Sequence, residues 1–274
     1  LGLLLLDVNL SWRQSSNVEH LVSLIVSIFD IRFMTSESQQ RALITGASSG
    51  IGRATAIAFA KAGIDLALVA RKPDKLHVLQ QELADLPVEV KSYSIDLSQI
   101  DTLAAKLADL LKDFGDVNIL VNNAGMGYTG GLADMPLTDW QTLFNLNLTS
   151  VLLTMQAVVP VMRAQRQGTI MNVASIAAHN AFPTWGAYSA SKAGLITLGR
   201  VLGAEESEHG IRVMTVSPGA VNTPLWDTET VQSDFERSQM LTPAIVAQSI
   251  LHAVQLPHSA VIDEITLMPS GGAL

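Results

Sequence analysis

The sequence predicts a single doubly wound α/β domain, a mostly parallel sheet of about seven strands with helices on both faces. Three observations carry that expectation. An apolar strand, a glycine turn and a helix with apolar residues at helical spacing follow one another from Arg41 to Gly63. Strand-like apolar runs then alternate with helical stretches to the carboxyl end. Of the 274 residues, 48% are hydrophobic and only 15% charged, enough apolar material for one large core.

The amino-terminal segment lacks this alternation. Two short apolar runs, Leu1–Leu6 and Leu21–Phe29, flank a polar patch from Ser11 to His20. Neither reaches the roughly 20 continuous apolar residues of a spanning helix. No basic stretch precedes Leu1 and no small-residue cleavage site follows, so a signal peptide is not expected. Met34 opens a short polar lead, MTSESQQ, immediately before the first strong strand. We therefore expect the functional protein to begin at Met34, with 1–33 an extension of no folded role and 34–274 the domain. The alternative is a helix from Val18 to Ile31 that lies on a membrane surface or packs on the domain.

From Ala42 the elements come in order. ALIT is a short strand, GASSGIG the turn, and the helix begins near Gly50. Gly46, Gly50 and Gly52 permit a tight turn and close approach of a phosphate, at which the helix amino terminus points its amides. The spacing is GxxxGxG rather than GxGxxG, so the turn by itself also reads as one with no ligand. The strand DLALVA ends at Arg71, followed by Lys72, with no acid between Leu66 and Arg71. A basic fork there suits the 2′-phosphate of NADP better than the bare ribose of NAD. A helix over Asp74–Ala84 and the strand VEVKSYSI lead to Asp96 and Leu97, where a carboxylate could accept from an adenine amino group.

A helix from Ser98 to Phe114 precedes VNILVNNAG, an apolar strand that stops at Asn122 and Asn123. Both asparagines are costly inside unless bonded. Asn122, Ala124 and Gly125 could hold the central strand and leave room for a ribose. The strand GTIMNVAS delivers Ser175 at its carboxyl end, and a helix follows with Tyr188 and Lys192 four residues apart, on one face. An ammonium beside the phenol would draw it down from about 10 toward neutrality. The strand IRVMTVSPG, a polar segment Asn222–Leu241 read as a lid over the substrate, a helix Pro243–Gln255 and the strand VIDEITLMP complete the chain.

Composition excludes several functions. Seventeen Lys and Arg stand against 25 Asp and Glu, a formal charge of −8, so no nucleic-acid surface is expected. There is no cysteine, hence no disulfide or thiolate chemistry, and a cytoplasmic location is the default. The six histidines show no metal-ligand spacing and no metal is expected. His179 either lines the substrate pocket or bonds locally.

TGASSGIG at Thr45–Gly52, NNAG at Asn122–Gly125, and Ser175, Tyr188 and Lys192 together resemble the short-chain dehydrogenase/reductase family, over 40–274. The resemblance implies a Rossmann-type fold and reversible hydride transfer between NADP(H) and a carbonyl or secondary alcohol. It implies that Ser175 holds the substrate oxygen, that Tyr188 is general acid and base, and that Lys192 lowers the tyrosine pKa and bonds the nicotinamide ribose. It implies a fourth catalytic residue, Asn147 (Asn145 being the fallback), which bends its helix through a bound water and extends a proton relay. Cofactor contacts are implied at Gly46, Ser48, Ser49, Gly50, Ile51 and Gly52, at Arg71, Asp96 and Leu97, and at Asn123, Ala124 and Gly125. Tyr188, Lys192, Pro218, Gly219, Val221 and Thr223 complete that set. Assembly as a homodimer or homotetramer through helices Thr138–Gln165 and Ala187–Glu208 is implied, and the tail DEITLMPSGG resembles that of enzymes acting on 3-oxoacyl or 3-hydroxy acid compounds. The rivals are a non-catalytic NADP(H)-binding sensor or scaffold and a sugar epimerase or dehydratase.

Overall fold

The computed structural model describes residues 39–232 and 235–271. The expectations for 1–33, the Val18–Ile31 helix and Met34 lie outside them. The sheet has seven strands: β1 (Arg41–Thr45), β2 (Asp65–Ala70), β3 (Val90–Ser94), β4 (Ile119–Asn122), β5 (Gly168–Val173), β6 (Ile211–Pro218) and β7 (Glu264–Leu267). Their order is β3-β2-β1-β4-β5-β6-β7, every neighbouring pair parallel. The chain thus winds outward from β1 to β3, then crosses back to β4 and winds the other way. The crevice of such a sheet opens where the direction reverses, beyond the carboxyl ends of β1 and β4.

Among the described residues there are seven helices, packed about the sheet: α1 (Gly50–Lys61), α2 (Pro73–Glu82), α3 (Ile100–Phe114), α4 (Leu137–Phe144), α5 (Ser150–Gln165), α6 (Gly186–Glu206) and α7 (Pro243–Val254). Side chains alternate along each strand, so adjacent residues enter different cores. Ile44 packs with Phe59, Leu76 and Ile250 of α1, α2 and α7, whereas Leu43 packs with Leu107, Val158 and Leu195 of α3, α5 and α6. β2, β5 and β6 are buried throughout, and their nearly unbroken apolar runs are what two covered faces require.

Between α4 and α5 the chain makes one wide π turn, Asn145–Thr149, without leaving the helical path. Pro160 lies inside α5 and does not end it. The combined run Leu137–Gln165 is long and apolar enough to cross a membrane by length and composition, and half of its most apolar stretch is buried in the domain. Arg163 of α5 forks onto the buried Glu206 at the end of α6, its Nε donating to Oε2 at 2.7 Å. That pair fixes the two long helices against each other.

Candidate active site

The turn after β1 is held by its neighbour strand. The Thr45 hydroxyl donates to the Val121 carbonyl at 3.3 Å and accepts from the amides of Asn123 and Ala124 at 3.0 and 3.1 Å. Asn123 Nδ2 donates to the carbonyls of Thr45 and Gly46 at 2.9 and 3.2 Å. Asn122 Nδ2 donates across the sheet to Asn172 Oδ1 at 3.0 Å, so both asparagines find partners. Gly46 and Gly50 have φ of +67° and +54°, in the left-handed region. Gly52 is needed for space: a Cβ there would lie 2.4 Å from both the Gly46 oxygen and Asn123 Nδ2. Ser49 precedes α1 without a side-chain cap, which leaves the first amides of the helix open.

A cleft of about 500 Å³ follows the carboxyl ends of β2, β1, β4, β5 and β6. At the β2 side are Arg71, Lys72 and Lys75, all exposed and all cationic. Gly46, Ser48, Ser49, Gly50 and Ile51 continue the wall, then Asn123, Ala124 and Gly125. Tyr188, Lys192, Pro218, Gly219, Val221 and Thr223 line its β5–β6 side. Leu97 is on the wall, joined by Ile95, Val173 and Ala174.

Four of the expected positions stand off that wall. Gly52 packs behind the turn. Asp96 is not on the cleft lining, and its Oδ1 accepts from the Ser98 amide at 3.0 Å and hydroxyl at 2.7 Å in the turn before α3. Ser175 and Asn147 also lie outside it, each tied to a residue that does reach it. Lys75 escaped the sequence reading. It sits in the first turn of α2, and only the return of that helix beside β2 brings it to the cleft.

The reactive end is built by β5 and α6. Ser175 ends the β5 segment extended, its Oγ accepting from the Ala177 amide at 3.1 Å, and its side chain hydrogen-bonds Tyr188. Tyr188 and Lys192, one helical turn apart, are both buried, at 9% and 5% exposure. Lys192 Nζ donates to the Val173 carbonyl at 2.8 Å and lies 5.8 Å from the Tyr188 ring centre. Burial pushes the phenol above its ordinary value, and the bond from Ser175 opposes that. The expected downward pull of Lys192 does not prevail within the protein itself. The ammonium faces a backbone carbonyl, and burial pushes its own pKa down to about 8.

Asn147 occupies the π turn and is fully buried. Its Oδ1 accepts from the Met126 amide at 2.9 Å, while Nδ2 donates to the Met126 carbonyl at 2.9 Å and to Ser191 Oγ at 3.1 Å. It therefore fastens the loop after β4 to α6. A Cβ on Gly125 would lie 3.2 Å from Asn147 Oδ1 and 3.5 Å from Lys192 Nζ, so that glycine keeps both groups next to the cleft. His179 is not on the cleft lining; it bonds Glu264 Oε1 of β7, 85 residues away, at 2.5 Å.

The Asn222–Leu241 segment is pinched at its base, where the Asn222 amide donates to the Leu241 carbonyl at 2.8 Å and the Leu241 amide to Ala220 at 2.9 Å. Trp226 Nε1 donates to the Val221 carbonyl at 2.8 Å. Rings then contact one another edge to face, Tyr188 with Trp185 at 5.3 Å, Trp185 with Trp226 at 5.7 Å, and Trp226 with Phe235 at 5.5 Å.

Residues 40–234 match the sequence profile of the short chain dehydrogenases. An uncharacterized oxidoreductase of Staphylococcus haemolyticus is 32% identical over 86% of this chain and 100% of its own length. An NADP-dependent 3-hydroxy acid dehydrogenase of Schizosaccharomyces pombe is 32% identical over 84% of this chain and 93% of its own. The 3-oxoacyl-[acyl-carrier-protein] reductase of Thermotoga maritima is 33% identical over 84% and 96%. Among solved structures, an alcohol dehydrogenase of Thermococcus sibiricus complexed with 5-hydroxy-NADP superimposes with a TM-score of 0.79 at 28% identity, over 86% of this chain and 99% of that one.

Proposed function

Because the chain belongs to the short-chain dehydrogenase family, we propose that it is an NADP(H)-dependent oxidoreductase interconverting a carbonyl and a secondary alcohol, with Tyr188 as general acid and base. The observation that carries this reading is one cleft joining a glycine turn, three cations and a buried Tyr–Lys pair. The residues present fit a nicotinamide dinucleotide phosphate. The cradle at Gly46 and Gly52 has no room for a Cβ, the uncapped amino end of α1 suits a pyrophosphate, and Arg71, Lys72 and Lys75 suit a 2′-phosphate. When bound, the nicotinamide supplies or accepts the hydride. Lys192 and Asn123–Gly125 would hold its ribose, and Pro218, Gly219, Val221 and Thr223 would flank its carboxamide side.

Ser175 orients the substrate oxygen toward Tyr188. A phenol raised by burial is protonated at neutral pH, the form needed to give a proton to that oxygen during reduction. In the reverse direction the phenolate takes the proton back, and Lys192, still mostly an ammonium at pH 7, stabilises that charge. Asn147 positions Met126 and α6 instead of contacting substrate, and a proton route past it would run beside Lys192 over Gly125.

Substrates of the 3-oxoacyl or 3-hydroxy acid type are the proposed class, supported by what the two named relatives act on. A cytoplasmic homodimer or homotetramer is proposed alongside, with α4–α5 and α6 as the contact. The Tyr188→Phe variant tests the reaction. It should bind NADPH like the wild type and lose about 10²–10⁴-fold in turnover. Wild-type protein that binds NADPH but consumes none with any ketone or aldehyde would instead be a sensor.

A further inference from the structure

A second cavity, of about 240 Å³, opens beside the first and shares Tyr188, Leu225 and Trp226 with it. Its remaining walls are apolar, chiefly Ile176, Phe182, Trp185 and Phe235. Among the described residues Tyr188 is the only ionisable side chain on its lining. The basic side chains nearest in the chain are already committed elsewhere. Arg237 donates to Asn222 Oδ1 at 2.9 Å and to the Thr223 carbonyl at 3.0 Å, and it pairs with Asp227 at 3.3 Å. His179 and Arg200 both meet Glu264. Lys192 points its ammonium at Val173.

A group seated in this cavity has its attachment point at the phenol, which is where the reacting oxygen must be. Resting on the hydride-transfer reading, we infer that the cavity takes the larger carbon substituent of an uncharged apolar carbonyl compound, such as an aryl ketone or acyl ester, and rejects free carboxylic acids. Size agrees: an engineered apolar cavity of about 150 Å³ takes up benzene, so 240 Å³ holds a ring with a short chain. Chemistry agrees as well. An aromatic wall contacts ring edges and faces at little entropic cost. A carboxylate buried there would leave water and, among the described residues of the lining, meet no cation in return. Of the two substrate types borne by the named relatives, the cavity thus selects the one whose acid is masked.

The test is steady-state NADPH oxidation with methyl para-acetylbenzoate, with para-acetylbenzoate, and with diacetyl as a small uncharged carbonyl. The ester should exceed the free acid in kcat/KM by at least about a hundredfold, since the acid leaves its charge unpaired. Phe182→Arg, which brings a cation to the wall, should narrow that ratio about tenfold or more, and a rise in its melting temperature with NADPH shows that it is folded. An acid consumed as well as its ester by the wild type overturns the inference while leaving the reaction class standing. An ester-to-acid ratio that stays the same in folded Phe182→Arg overturns it too. If NADPH binds but none of the three carbonyls is reduced, the hydride-transfer reading fails and this inference fails with it.

Discussion

Lys192 is the residue whose burial has the largest consequence. In the unfolded chain its ammonium persists to about 10.5, but in the folded protein only to about 8. Between those values the unfolded chain binds more protons, so this residue makes stability rise with pH across that window, and below pH 8 its buried charge weighs fully against folding. A gap of two to three units corresponds to about 3 kcal/mol. Lys192→Met keeps the bulk without the charge. Its stability advantage over the wild type should therefore shrink by about 3 kcal/mol between pH 7 and pH 11 in urea denaturation, and an advantage independent of pH would contradict the burial argument. Tyr188 acts in the other sense on rate. Its raised pKa keeps the proton donor loaded at neutral pH, so carbonyl reduction should be flat from pH 6 to 7 and fall through about pH 8 as Lys192 discharges, while alcohol oxidation should rise with pH. Both directions peaking together near pH 6 would remove Tyr188 from that role.

At the scale of elements, the β1 turn and the start of α1 form one unit with the loop after β4. Gly52→Ala would press a methyl group on the Gly46 carbonyl and on Asn123 Nδ2, disturbing that unit at both ends. We expect a loss of about 2–3 kcal/mol in stability and a weakened NADPH complex. Equal stability by denaturation would show that the turn gives way. These elements were legible in the sequence because their signals are local: glycines at fixed offsets, short continuous apolar strands, helical apolar spacing, Tyr and Lys at i and i+4. What escaped depends on distant chain segments. Lys75 looks like any solvated residue of α2 until β2 and β1 pair and turn that helix end toward the cleft. The π turn was visible only as an asparagine implied by resemblance, since the Met126 and Ser191 groups that use it lie 21 and 44 residues away. Nor does anything in the string reveal that Ser98 closes on Asp96 Oδ1. The aromatic cavity was missed for the same reason, Trp185 and Trp226 meeting only after α6 and the segment following β6 are in place.

Across the whole molecule, the cleft is walled by the ends of five strands and so by both halves of the doubly wound sheet. A ligand lying along it contacts the β2 end, the β1 turn, the β4 loop, α6 and the β6 loop at once, and none of those surfaces exists in the unfolded chain. Binding must therefore stabilise the domain as a unit, by about 2.7 kcal/mol when the free ligand stands 100-fold above its dissociation constant. For a domain of this size each kcal/mol moves the melting temperature by about 2–4 °C, so NADPH at that level should raise it by about 5–10 °C. Recognition at the β2 end should separate the two dinucleotides. NADH at the same concentration lacks a phosphate for Arg71, Lys72 and Lys75 and should give a smaller rise, and Arg71→Glu should reduce the NADPH rise to that of NADH or below. Thermal melts of the wild type and of Arg71→Glu with each dinucleotide measure all four values. A larger rise with NADH than with NADPH in the wild type would contradict the assignment of those three cations to the 2′-phosphate.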